Sequence, residues 1–300
     1  MFTKIPSEVE FQKRAEGLLL GLFLAQRWAV ADGGRLPSEA TLAEEVGRCI
    51  LDGDDPDEQE LLRRWSMSGN LGAEAGLSQT DLVLEYSRLG RPWIDARATA
   101  ARLTSRPDLD PPLLRTLPIS IACLGRGLTL RRWAHRVTAA THSDPTSQLA
   151  GFAVARLGQD LLSFGLEDAL PRTAQAVRED APESLIAALK PAGPGEGVPG
   201  GEDARGVLGG AVQALVGARA WEDAVGAASS RGIGGDQAVL LAGAFAGALL
   251  GVGGQVAGLD PEVATRLQGL ARALLTHSRE HANDPLPIPA RISGAGGAGR

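Results

Sequence analysis

The sequence predicts an all-α protein, on three observations. Apolar residues recur at three- and four-residue spacing along most of the chain, capping signals precede several of these stripes, and alternating apolar and polar runs bounded by turns are scarce. With 300 residues, 44% of them hydrophobic and 22% charged, the chain is long enough to bury a sizeable core. Glycine (39) and proline (18) together stay below the level of roughly a quarter of the chain that marks low-complexity sequence.

The first helix is carried by Phe11, Ala15, Leu18, Leu22, Ala25 and Ala29, with Lys13, Arg14 and Glu16 off that stripe, and Ala31-Asp32-Gly33-Gly34 ends it. Ser38, after Pro37, is positioned to cap a second helix whose stripe is Leu42, Val46, Cys49 and Ile50. Asp55-Pro56-Asp57-Glu58 reads as a third start, with Asp55 as the capping acid, Pro56 at the first helical position and Glu58 closing a capping box. Leu61, Leu62 and Trp65 form its core face. Further helices are predicted over Leu130 to Thr141, Asp144 to Leu162, Glu202 to Ala218, Trp221 to Ser229, Asp236 to Val252 and Pro261 to Arg279. Residues 191–201 (PAGPGEGVPGG) form a loop by composition, and 283–300 a flexible tail, so one helical domain over 1–282 is expected.

Charge and composition narrow the function classes. A formal charge of −6 offers no general field for a nucleic-acid backbone, and no nucleic-acid partner is expected. Thr129 to Arg136 (TLRRWAHR) reads as an exposed basic helix face with Trp133 buried, and Trp28, Trp65, Trp93 and Trp221 read as core. The apolar run from Gly17 to Ala25 follows Glu8, Glu10 and Glu16, where a secretory leader would be basic. Between Asp236 and Asp260 no charge occurs, but Gly253 and Gly254 break the run, and Gly243, Gly247 and Gly251 repeat at helix-packing spacing. A buried helix is expected there and no membrane span. Cys49 and Cys123 fit no metal or redox spacing and are read as reduced thiols of a cytoplasmic protein.

Three blocks, in order, carry a family resemblance. Gly17-Leu18-Leu19-Leu20-Gly21-Leu22 opens the chain. Leu113-Leu114-Arg115-Thr116-Leu117-Pro118 is followed by a helix and then Thr141-His142-Ser143-Asp144-Pro145. Gly234-Gly235-Asp236 leads into the glycine-spaced helix. Together they resemble the ADP-ribosylglycohydrolases, with their Gly-x-x-x-Gly opening helix, Leu-Met-Arg-x-x-Pro and Thr-His-x-Asp-Pro blocks, and Gly-Gly-Asp-x-Asp-Thr helix start. The resemblance implies a compact orthogonal helical bundle, two magnesium ions held by aspartates at two helix starts, and hydrolysis of the glycosidic bond joining ADP-ribose to a side chain. It also implies that Arg115, His142, Gly234, Gly235 and Asp236 lie at the ligand.

This chain departs from the pattern at the metal positions. Ser38-Glu39-Ala40-Thr41 stands where Thr-Asp-Asp-Thr would be, and Gln237, Ala238 and Val239 follow Asp236 where a carboxylate and a hydroxyl would recur. Ser38, Glu39, Thr41 and Asp236 are the residual metal candidates. Two carboxylates fall short of what two magnesium ions need, since each ion takes about six oxygens. Where the family has Gly-Asn-Gly-Ser before its arginine, Leu109-Asp110-Pro111-Pro112 removes two amide donors and adds a negative charge.

The expectation is therefore a catalytically degenerate family member that binds ADP-ribose or an ADP-ribosylated protein, without a cofactor. Two alternatives stay open: a divergent hydrolase working through Glu39 and Asp236 around a reduced magnesium site, and a helical interaction protein whose cleft is filled by Arg27 or Trp28. Asp236 is read first as a helix-start acid favoured by the macrodipole and by capping, and His142 either contacts a phosphate or caps the preceding helix.

Overall fold

The computed structural model describes residues 6–31, 39–53, 55–67, 78–104, 111–192, 201–232 and 234–282. Ser38, Leu109, Asp110, most of the 191–201 loop and the 283–300 tail lie outside them. The described residues form fourteen α-helices and two 3-10 segments, with no strand among them. In chain order the α-helices are α1 (Glu8–Ala31), α2 (Glu39–Leu51), α3 (Glu58–Met67), α4 (Gln79–Arg88), α5 (Trp93–Leu103), α6 (Leu117–Ala122) and α7 (Gly127–Ala139). They continue as α8 (Pro145–Ser163), α9 (Leu166–Val177), α10 (Glu183–Ala188), α11 (Ala204–Leu215), α12 (Trp221–Arg231), α13 (Gly235–Leu250) and α14 (Pro261–Glu280). The 3-10 segments are Leu114–Thr116, directly before α6, and Gly253–Gly258.

The centre is the crossing of α1 and α13. A methyl group built on Gly17 would stand 2.0 Å from the Gly247 carbonyl oxygen, and one on Gly21 would stand 2.2 Å from that of Gly243. The two helices thus run antiparallel with their backbones in contact, which only glycine at these positions permits. Trp221 donates its indole N–H to the Gly243 carbonyl at 2.9 Å and pins α12 to the same crossing. Every residue of α13 from Gln237 to Ala248 is buried, so the uncharged run is an interior helix of 16 residues. No helix among the described residues is long and apolar enough to cross a membrane.

On the other side of α1, α14 keeps its apolar stripe inward through Leu267, Ala271 and Leu274. Its outer edge is tied down by ion pairs from Arg266 to Glu44, Arg272 to Glu16 and Arg279 to Glu8. Both cysteines are buried and free. Burial pushes the Cys123 thiol up to about 12, which keeps it protonated and unreactive at neutral pH.

Several expectations need correction. The third helix is capped by Asp57, whose Oδ1 accepts the Glu60 amide at 2.8 Å, while Asp55 turns away to accept from Trp133 Nε1 at 2.7 Å and from Arg132. A tertiary partner outcompeted a local cap. The helix expected from Glu202 starts at Ala204 under an Asp203 cap. Five helices are additional to those expected: α4, α5, α6, α9 and α10. In α9, Pro171 sits inside a helix and carries a breaker signal, yet the helix continues. Of the tryptophans, Trp65 and Trp221 are core, but Trp93 is half-buried beneath Arg97, and Trp28 is 37% exposed, edge-on to Trp221.

Candidate functional site

Two clusters gather the motif residues. The first is a buried polar centre built around Arg115, on the 3-10 turn ahead of α6. Arg115 is fully buried, and its guanidinium is satisfied from three directions. Nε donates to Glu39 Oε2 at 2.9 Å, Nη2 to Glu39 Oε1 and to Thr80 Oγ1, and Nη1 to Thr141 Oγ1 at 3.0 Å. Its flat face lies 5.2 Å from the centre of the Trp65 ring, and Trp65 is anchored through Nε1 to the Leu42 carbonyl. Glu39, first residue of α2 and 2% exposed, therefore has both carboxylate oxygens engaged by one cation. Coulomb attraction, fork geometry and two threonine acceptors together satisfy the desolvated pair.

His142 extends this network. It is fully buried, its Nδ1 lies 2.9 Å from Thr141 Oγ1, and its carbonyl accepts from Gln148 Nε2. Gln79 Nε2 closes the other side on the Thr141 carbonyl at 2.7 Å. At the end of α7 the His142 backbone amide donates to the Thr138 carbonyl at 3.0 Å. Gln79, Thr80 and Trp65 belong to this centre although no local sequence pattern announced them. The first two lie at the start of α4, which was itself unread.

The second cluster is the meeting of three helix starts. Asp144 Oδ1 caps α8 by accepting the Ser147 amide at 2.8 Å, and its Oδ2 is buried with no partner among the described residues. Asp203 caps α11 through the amides of Arg205 and Gly206, and the two capped ends share a cavity of about 210 Å³. The start of α13 abuts α11. Gly234 has φ +78°, and a methyl group there would stand 2.7 Å from both the Gly206 carbonyl oxygen and Val207 Cα, so glycine is required for conformation and for space. Gly235 (φ +58°) faces the Glu202 side chain.

Asp236 follows in the first turn of α13, exposed, with no hydrogen bond or ion pair among the described residues. The helix is capped by Gly234, so the capping reading of Asp236 is replaced by a purely electrostatic one. Partial burial nevertheless raises its carboxyl above the usual range. Arg205 is tied to Asp203, Asp144 lines the same cavity, and the Glu202 side chain lies against Gly235 beside Asp236, so carboxylates gather at these helix starts. Three helix dipoles supply only about half a positive charge each, and the region stays acidic.

Of the expected ligand residues, the structure thus brings Gly234, Gly235 and Asp236 together, and separately Arg115 and His142 with Glu39. Neither Arg115 nor His142 presents surface to solvent. Thr41 lies in the first turn of α2, two residues after Glu39, and is half-buried. Arg27 and Trp28 are exposed at the end of α1 and fill no interior cleft. Among the described residues no group of three or more His, Cys, Asp or Glu side chains could hold a metal ion.

An all-helical protein with a glycine-crossed central helix pair and polar motifs gathered at helix starts is the class these features define. The family model described as ADP-ribosylglycohydrolase matches residues 6–284, and the chain belongs to that family. Among solved structures it is similar to a chain described as an "ADP-ribosylglycohydrolase-related protein complex", with a TM-score of 0.69 at 21% identity, covering 90% of this chain and 99% of that one. That likeness carries the fold. No curated protein matches.

Proposed function

We propose that this chain is a family member that has lost metal-dependent hydrolysis and serves as a binding or regulatory module for ADP-ribose or an ADP-ribosylated side chain. The observation that carries the reading is the state of Glu39. Magnesium takes about six oxygen ligands, with charge supplied by carboxylates. Glu39, the one acid at the first metal position, has both oxygens committed to the Arg115 guanidinium, which already provides the counter-charge. Asp236, the acid at the second, stands on another helix, and among the described residues it belongs to no group of three or more His, Cys, Asp or Glu side chains that could hold an ion. The described donor set does not fit a pair of magnesium ions, and no metal-dependent step follows from it.

The acidic helix starts also oppose a pyrophosphate, so ADP-ribose is expected to bind weakly, with Kd of about 100 μM or above, in the range of roughly 5 kcal/mol of binding. The test combines calorimetry with ADP-ribose and release assays on ADP-ribosylated arginine and serine peptides. No release above background is expected with or without magnesium, and magnesium is expected to leave the melting temperature unchanged. Magnesium-dependent release abolished by a chelator would overturn the reading.

A second reading is favoured by one observation. Asp236 is a carboxylate at a helix start, without an ion pair among the described residues and raised by partial burial, which suits it to hold or accept a proton in a divergent hydrolase. On that reading, Asp236→Ala removes a measurable glycosidic activity while leaving the circular dichroism spectrum intact.

A further inference from the structure

A concavity of about 730 Å³ lies on the outer face of α7 and α8, and apart from Pro145 it uses none of the motif residues. Its floor is apolar, formed by Leu128, Leu149 and Phe152, and its wall is the basic face of α7: Arg131, Arg132, His135 and Arg136. This is the TLRRWAHR stretch, with Trp133 buried behind it at 5% exposure.

The guanidiniums on that wall are unequally paired, and Arg136 is the most loosely held. Arg131 is paired with Asp180 and lies over the Phe152 ring at 5.6 Å. Arg132 and Arg136 share one carboxylate: Asp55 is 2.7 Å from Arg132 and 3.7 Å from Arg136, and it also accepts from Trp133. Arg132 and Arg136 are one helical turn apart, and Asp55 lies closer to Arg132 than to Arg136, so the Arg136 charge is the less fully neutralised of the two. Arg132 Nε is buried with no acceptor among the described residues. Leu128, 62% exposed, adds apolar surface at the same place. Apolar walls with a few convergent donors in a cavity of this size are the anatomy of a small-molecule site.

We propose that this concavity binds a free small organic anion, a ring carrying a phosphate or carboxylate, with the ring on Leu128, Leu149 and Phe152 and the charge on Arg136 and Arg132. Glu58 and Asp180 on the same wall repel extended polyanions and restrict the ligand to one compact charge. The site does not depend on the reading of Glu39 and Asp236 given above.

The probe is 1-naphthyl phosphate, titrated calorimetrically into the full chain, with inorganic phosphate and 1-naphthol as half-probes. Saturable binding is expected with Kd below about 1 mM, tighter than either half-probe. Arg136→Gln is expected to weaken it about fivefold, the size of an exposed ion pair. Leu128→Ser is expected to weaken it several-fold through lost apolar contact, on the order of one buried side chain's share. Both side chains are surface-placed, and an unchanged melting temperature verifies folding in each variant. Saturating ADP-ribose is expected to leave the titration unchanged. Absence of saturation, inorganic phosphate binding as tightly as the aromatic ester, competition by ADP-ribose, or unchanged affinity in both variants would each overturn the assignment.

Discussion

Arg115→Met is expected to lower folding stability by about 3–5 kcal/mol, the cost of leaving one member of a buried ion pair without its partner. Glu39 is only 2% exposed and cannot turn to water, and Thr80 and Thr141 would lose their donor at the same time. Guanidinium chloride unfolding monitored by circular dichroism measures the loss. The double variant Glu39→Gln with Arg115→Met should recover most of it, because a neutral amide needs no counter-charge. A single-variant loss below about 1 kcal/mol would place the pair among weakly coupled surface pairs and remove the argument that Arg115 fills the role of a cation at α2.

Gly247→Ala is the second large effect. The added methyl would meet the Gly17 carbonyl oxygen at 2.0 Å, and because the obstacle is backbone, no rotamer change relieves it. Overpacking costs about 1–3 kcal/mol and occasionally more, and a clash with an opposing main chain at the centre of the fold belongs at the upper end. The control is Gly269→Ala in α14, where nothing stands within 4 Å of the new methyl. That change should stabilise by about 0.5–1 kcal/mol, since alanine is the better helix former. Opposite signs for the same substitution in two helices, read from melting curves, separate the packing requirement from propensity. Equal effects would show that the crossing is looser than described.

How much of this was legible in the sequence depends on the range of the interaction. The Gly243, Gly247 and Gly251 spacing forecast a helix that packs closely, and two of the three make the close approach, while Gly251 lies past the end of α13 with φ +74° and open space around it. Capping by Asp144 is local and was readable, because an acid three residues ahead of an amide is a pattern within one turn. Asp55 was misread for the opposite reason: Arg132 and Trp133, which claim it, lie more than seventy residues away. The site divides in the same way. The missing aspartates are visible as substitutions, but that Glu39 is closed off by Arg115 rests on a contact between residues 76 positions apart. Thr80 and Gln79 were invisible because α4 shows little beyond a short capping signal before a ten-residue helix.

The α1–α13 crossing also sets a timetable for biosynthesis. The two helices that touch most closely lie some 220 residues apart, so α1 emerges long before the surface it needs. At about 5–20 residues per second, the Gly17 to Ala25 segment waits on the order of 10–50 s for α13 to be made. During that interval its leucines lack the helix they pack against most closely, although α2, α6 and α8 are already made. A helical protein with so non-local a centre should therefore also refold more slowly than bundles whose neighbouring helices pair in order.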